Sequence, residues 1–217
     1  MPDFGFVGAS YEAPSIYQDA QECINFYPEQ DPTKSPGERG IVALYPTPGL
    51  VEKLALWQAE VRGMRALSGS QYLVVVSGNR VYSVTTSFVA TQIGTLTTST
   101  GPVQITDTVT TNNGLTAYIV DGANRYTWVA STNVFQILPP SDGLWQGATA
   151  CDTVDNYVAY NEPNTQNWAV TDLGLVVTTT GNYGTKDGSP DNLVTLIVDH
   201  RQVYLIGEVT TEVWVEV

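Results

Sequence analysis

Apolar and polar positions along this chain fall into one short pattern that returns four times. Its clearest copy is Tyr72-Leu73-Val74-Val75-Val76-Ser77-Gly78-Asn79-Arg80-Val81-Tyr82-Ser83-Val84. An apolar run of strand length meets a tight polar turn, and a second run then alternates, which predicts a β-hairpin. The second copy joins Ala117-Tyr118-Ile119-Val120 to Arg125-Tyr126-Thr127-Trp128-Val129 through Asp121-Gly122-Ala123-Asn124. The third joins Tyr157-Val158-Ala159-Tyr160 to Asn167-Trp168-Ala169-Val170, and the fourth joins Val203-Tyr204-Leu205-Ile206 to Val213-Trp214-Val215-Glu216-Val217. Matching positions fall at Val74, Tyr118, Val158 and Tyr204, so the steps are 44, 40 and 46 residues. That spacing is the period of a β-propeller blade.

The stability of a small sheet points the same way as the period. A lone hairpin is marginal in water, and radial stacking of four-stranded sheets gives each one a neighbour. Each period has room for two further strands. The candidates are Phe88–Ile93, Gln104–Val109, Val134–Leu138 and Val194–Val198. The competing architecture is a β-sandwich with regularly spaced hairpins; the near-constant period favours the propeller. The expected fold is therefore all-β: a partial β-propeller of about four blade repeats over residues 51–217, preceded by an extended N-terminal arm over residues 1–50. The fourth hairpin reaches Val217 before a further strand, which is why an incomplete propeller is expected.

Outside the repeat, Cys23–Glu29 reads as a short strand stopped by Pro28, and Tyr45-Pro46-Thr47-Pro48 as a second stop. The loosest stretch, Leu50 to Arg65, suits a helix, a strand or a loop equally. Residues 85–116 are rich in Thr and poor in charge and suit exposed strands. Thr178 to Asp191, with Gly181, Gly184 and Gly188, reads as a long loop of the kind that carries function.

Composition narrows the function. The 217 residues include 22 acidic and 9 basic ones, a net charge of −13. Gripping DNA by its phosphates needs a basic patch, so this chemistry is disfavoured. Met1 to Ser15 has neither a basic start nor an apolar core segment, and no apolar run reaches the roughly 20 residues of a membrane helix, so neither a signal peptide nor membrane contact is expected. Cys23 and Cys151 are expected to be reduced, buried thiols.

Catalytic patterns are sparse. The single histidine, His200, stands in Asp199-His200-Arg201 and reads as a solvated turn. No serine occupies a Gly-x-Ser-x-Gly setting, and one histidine is too few for a catalytic zinc site. Paired carboxylates are the remaining route, as in glycosidases. Asp152 with Asp155 and Asp187 with Asp191 are the candidate pairs, and surface turns are the plainer reading of both. Ser141-Asp142-Gly143-Leu144-Trp145 is close to a sialidase Asp-box but lacks the residue between Ser and Asp and does not recur. Tyr82, Trp128, Trp168 and Trp214 recur with the fold, which favours packing between blades over stacking on sugars. No catalytic, cofactor-binding or metal-binding residue is assigned, and no cofactor or enzymatic activity is expected. The alternative kept open is a carbohydrate-binding or carbohydrate-active propeller.

One ordered series of motifs goes further. Asn25-Phe26-Tyr27-Pro28-Glu29, Pro46-Thr47-Pro48-Gly49-Leu50, Arg62-Gly63-Met64 and Ser77-Gly78-Asn79-Arg80-Val81-Tyr82 are followed at the far end by Gly207-Glu208-Val209-Thr210-Thr211-Glu212-Val213-Trp214. The series resembles the packaged-DNA stabilisation proteins, also called tail accessory or tail hub proteins, of short-tailed bacteriophages. The resemblance implies a β-propeller that assembles as a homo-oligomeric ring, expected to be hexameric, below the portal and its adaptor ring. It implies a virion tail protein, made in the host cytoplasm, that extends the channel and helps retain packaged DNA. It also implies docking of the tail needle or fibre and contact with tailspikes, while DNA passes without specific binding. Family members run to roughly twice this length, so the resemblance implies the N-terminal portion of such a protein. The segments expected to meet partners are the arm, Met1 to Leu50, and Thr178 to Asp191.

Overall fold

The computed structural model describes residues 24–33, 42–57, 59–140, 144–189 and 191–215. The chain forms two compact units, Met1–Glu52 and Lys53–Val217. In the first, β1 (Phe26–Gln30) pairs antiparallel with β2 (Val42–Pro46), from Phe26 opposite Pro46 to Gln30 opposite Val42. Asn25 closes the ladder from a left-handed conformation (φ 59°), its carbonyl accepting from the N–H of Thr47 at 2.9 Å. Pro28 does not stop the strand, as the sequence had suggested. It sits inside β1 opposite Leu44. In a two-stranded ribbon the outer edge of β1 has no ladder to maintain, so a residue without an N–H is accommodated.

The second unit is four antiparallel sheets. The first holds β3 (Val61–Ala66), β4 (Tyr72–Ser77), β5 (Arg80–Thr85) and β6 (Ala90–Thr95) in chain order. The second holds β7 (Gln104–Thr110), β8 (Gly114–Val120), β9 (Arg125–Val129) and β10 (Val134–Ile137). The third holds β11 (Cys151–Val154), β12 (Tyr157–Asn161), β13 (Asn167–Val170) and β14 (Tyr183–Thr185). The fourth holds β15 (Leu193–Asp199), β16 (Gln202–Gly207) and β17 (Thr211–Val215). The first strands converge: β3 lies beside β7, β7 beside β11, and β11 beside β15. These are four blades of a β-propeller, the last with three strands among the described residues.

Burial on both faces explains the apolar runs on the second strands. On β8, Ala117 and Ile119 enter the core shared with the first blade, while Tyr118 and Val120 enter the core shared with the third. On β12, Val158 and Tyr160 face the second blade and Ala159 faces the fourth. A strand sandwiched in this way needs no polar face and so reads as a continuous apolar stretch. Val75, Tyr82 and Val84 on the free face of the first blade are covered by Leu54 and Leu56, just upstream of β3. The turns follow the same economy. His200 (φ 48°) with Arg201 (φ 63°), and Asp155 (φ 44°) with Asn156 (φ 69°), make two-residue hairpin turns with both central residues left-handed, as a type I′ turn requires.

Three further expectations are corrected. Residues 85–116 are not all exposed strand. On β7, Thr106, Asp107 and Thr108 are buried, because β7 is a first strand wedged between β3 and β11. Phe88 lies not in a strand but in the turn before β6, at φ 60°. The stretch from Thr178 to Asp191 is not a single loop, since it contains β14, the outer strand of the third blade. Leu50 to Glu60 holds no helix among its described residues, and β3 begins at Val61. No helix among the described residues is long and apolar enough to cross a membrane.

Candidate assembly surface and blade junctions

The acidic candidates serve structural bonds. Asp152, on β11, accepts from the Thr106 hydroxyl on β7 (3.3 Å) and from the Val198 N–H on β15 (2.8 Å), tying three converging strands together. Asp155 sits in the β11–β12 turn and pairs with Arg201 in the β15–β16 turn. Asp191 accepts from Lys186, from the Thr210 hydroxyl at 2.7 Å and from the Val209 N–H at 2.8 Å. The Lys186 ammonium, with those donors, holds the Asp191 carboxyl well below the usual carboxylate range, which makes it a poor proton donor. Asp187 is exposed. His200 is exposed in its turn, with Nδ1 2.8 Å from Asp199. Among the described residues no group of three or more His, Cys, Asp or Glu is placed to hold a metal. Ser141 to Gly143 and Cys23 lie outside the described residues. Cys151 is a buried free thiol whose proton is held tightly, because burial penalises the thiolate.

A second feature was not among the expected site residues: each of the three blade junctions is clasped by one buried cation. Between the first and second blades, Arg62 is only 7% exposed. Its guanidinium donates to the carbonyls of Gly78 (2.9 Å), Thr98 (2.8 Å), Thr100 (2.7 Å) and Gly101 (2.7 Å), and to the Thr98 hydroxyl. That hydroxyl in turn donates to Asp121 on the second blade at 2.7 Å. Between the second and third blades, buried Arg125 donates to the Tyr118 hydroxyl (2.9 Å) and the Gln146 carbonyl (3.3 Å) and lies over the Tyr160 ring, 4.7 Å from its centroid. Between the third and fourth, buried Lys186 bonds Asp191, the Thr210 hydroxyl (2.6 Å) and the Ser189 carbonyl (3.2 Å). Burying a cation is costly unless it is bonded or paired: Arg62 and Lys186 meet this with hydrogen bonds to the connectors that they read, whereas Arg125 leaves Nη2 without a hydrogen-bond partner and sets its guanidinium over the Tyr160 ring. The legible trace is a basic residue set among strand-forming neighbours, as at Arg125-Tyr126-Thr127-Trp128.

This internal use of cations shapes the surface. Arg65 pairs with Asp107 at 3.6 Å, Arg80 stacks on Trp57 at 4.2 Å, and Arg201 pairs with Asp155. The propeller's basic residues are thus largely engaged within the fold, while Asp187, Asp199 and Glu208 are exposed. Such a surface repels a polyanion.

Exposed apolar side chains gather on the fourth blade. Ile197, Val213 and Val215 are exposed, and Trp214 is 40% exposed. A cleft of about 450 Å³ opens between the third and fourth blades, lined by Tyr157, Trp168, Val170, Asp172, Trp214 and Val215 among others. The rings of Trp168 and Trp214 meet edge-on at 5.3 Å. Of the four recurring aromatics, Tyr82, Trp128 and Trp168 are buried as packing predicts, and Trp214 is the exception.

Comparison with known proteins matches this architecture. The family model described as "Phage_stabilise: Bacteriophage P22 Gp10, beta-propeller" matches residues 21–217. No curated protein matches the chain. Among solved structures, the computationally designed Ika4 protein superposes with a TM-score of 0.53 at 14% identity, over 77% of this chain and 99% of its own. The WD40 domain of Neurospora crassa Pan2 gives 0.50 at 10% identity, over 71% of this chain and 48% of its own. At such identities these likenesses concern the fold alone.

Proposed function

The chain belongs to the phage-stabilisation family of bacteriophage P22 Gp10, a family of phage structural proteins that stabilise packaged DNA, and from that premise we propose that it is a subunit of the tail hub. In this reading it assembles as a ring, expected to be hexameric, below the portal and its adaptor, and extends the channel through which DNA leaves. It also receives the tail needle or fibre and contacts the tailspikes. Its work is done by protein–protein contacts rather than by a reaction.

The observation that carries the reading is the family match over nearly the whole chain. The electrostatics support it. A channel wall that DNA must slide past should not hold phosphates, and this propeller engages its cations at blade junctions and in surface pairs. The experiment is light scattering of the purified protein, alone and with an equimolar portal–adaptor complex. The reading expects a stoichiometric assembly of defined mass. Two species that stay separate at micromolar concentration would count against it.

A further inference from the structure

The turn between β7 and β8 carries the chain's one Asn-Gly step, Asn113-Gly114. Asn113 is exposed, as are Thr111 and Asn112 before it. Gly114 takes a left-handed φ of 72°, and a Cβ built on it would meet nothing within 4 Å. The space beside Gly114 is therefore open, and its backbone nitrogen lies within reach of the Asn113 amide carbon through a five-membered ring. The turn's own bonds restrain that approach. The Asn113 N–H donates to the Thr110 hydroxyl (3.2 Å), the Asn113 carbonyl accepts from the Ser131 hydroxyl (3.1 Å), and Gly114 pairs with Thr110. All three restraints lie at the tip of a hairpin, where local opening costs least.

Other asparagines are held or hindered. The Asn133 side chain accepts from the Trp128 indole (2.9 Å), that of Asn161 from the Thr149 and Ala150 N–H groups (3.0 and 2.8 Å), and that of Asn182 donates to Asp172 (2.7 Å). Asn112, Asn156 and Asn164 are exposed, but the residue after each has a Cβ, which hinders closure of the ring. The described Asp-Gly steps are locked at the glycine: the Gly122 N–H donates to the Ala148 carbonyl at 2.8 Å, and the Gly188 N–H donates to Glu212. The side-chain amide of Asn113 makes no hydrogen bond among the described residues.

We propose that Asn113-Gly114 is a site of spontaneous deamidation. When the turn opens, the Gly114 nitrogen attacks Cγ of Asn113. A C–N bond forms, the nitrogen gives up its proton, and ammonia leaves with it, closing a succinimide. Water then adds to one of the two ring carbonyls. Opening on one side leaves aspartate in an unchanged main chain; opening on the other routes the main chain through the side chain as isoaspartate. The balance is one water consumed and one ammonia released, with no oxidant or reductant. The product adds one negative charge to an exposed turn. As isoaspartate it also lengthens the backbone beside Thr111, whose N–H donates to the Gly174 carbonyl of the third blade at 2.9 Å. This chemistry rests on the turn alone, and its failure leaves the family reading untouched.

The test keeps the intact protein in mildly alkaline buffer and digests samples over time for peptide mass analysis. Released ammonia is measured alongside, and isoaspartate is detected with an isoaspartyl methyltransferase. A mass gain of about 1 Da, as the amide nitrogen is exchanged for oxygen, is expected on the Asn113 peptide ahead of every other asparagine peptide. The native protein should gain one negative charge in ion-exchange chromatography, and both aspartate and isoaspartate should appear. The Thr111 amide of the modified fraction should exchange about threefold or more faster than before. Asn113→Ser, at an exposed position, should abolish the early ammonia release and the charge shift. An Asn113 peptide that stays unchanged while other asparagines react, ammonia release at the wild-type rate from Asn113→Ser, or aspartate without isoaspartate would each overturn the proposal.

Discussion

Replacing Arg62 with methionine isolates the energetics of a blade junction. Methionine keeps most of the side-chain volume and removes every donor. Four carbonyls lose their partner: Gly78, Thr98, Thr100 and Gly101. They are not equal. Gly78 is buried, so its oxygen is stranded, whereas Thr100 and Gly101 are exposed and water can replace the guanidinium there. A stranded buried acceptor costs about 1–3 kcal/mol, and a bond to a charged donor contributes about 1.5–3 kcal/mol net. Counting the buried acceptor fully and the wet ones in small part, and crediting relief of the buried charge, gives a loss of about 3–4 kcal/mol. For a chain of this size that lowers Tm by about 6–16 °C. Urea denaturation of Arg62→Met against wild type, with hydrogen exchange over Leu96–Val103, is the assay. The connector amides should exchange faster than those of the fourth blade. A stability loss below about 1 kcal/mol would refute the reasoning, because it would mean that desolvating the guanidinium cancels its hydrogen bonds.

Other consequences follow from the same packing. A methyl group at Gly63 would lie 2.2 Å from the Val103 carbonyl oxygen, a backbone atom of the next blade, so Gly63→Ala should destabilise by about 2 kcal/mol or more, while Gly49→Ala, with nothing within 4 Å, should not; paired chemical denaturation checks both. Because Lys186 depresses the folded-state pKa of Asp191, that carboxylate stabilises the fold above its unfolded pKa, and the contribution is lost as pH falls below about 4. The urea midpoint of Asp191→Asn should therefore fall less steeply with acid than that of wild type, and parallel pH profiles would contradict this. In a Cys23→Ser background, Cys151 should react with a thiol reagent only on unfolding, because burial holds its proton; prompt reaction in native buffer would show that the second-to-third blade core is open.

Much of this architecture is legible in the sequence because the blade is a local unit. The apolar runs at Val74, Tyr118, Val158 and Tyr204 mark the second strand of every blade, and their period marks the propeller. The motif Arg62-Gly63-Met64, recognisable only as a family feature, has a physical basis: Arg62 clasps the connector, and Gly63 lets β3 approach Val103. Ser77-Gly78-Asn79-Arg80 is similar. The Ser77 hydroxyl donates to the Ala59 carbonyl, Gly78 turns at φ 56°, the Asn79 carbonyl accepts from Leu96, and Arg80 stacks on Trp57. What stayed hidden depends on contacts between blades. The spacing from Lys186 to Asp191 looks like a surface loop, and only the fold shows that this ion pair is anchored under Thr210. Thr106 and Thr108 look solvent-facing until β7 is wedged between its neighbours. Pro28 reads as a stop only if its strand is assumed to need both edges.

The central claim, a phage structural protein that stabilises packaged DNA, is tested most directly by measuring DNA retention in particles. Particles assembled without this protein and after complementation are compared by sedimentation and by the fraction of DNA open to nuclease. The account predicts that particles lacking the protein package DNA and then lose it, and that complementation restores full particles containing the protein in fixed stoichiometry. Stable, full particles in its absence would contradict the account.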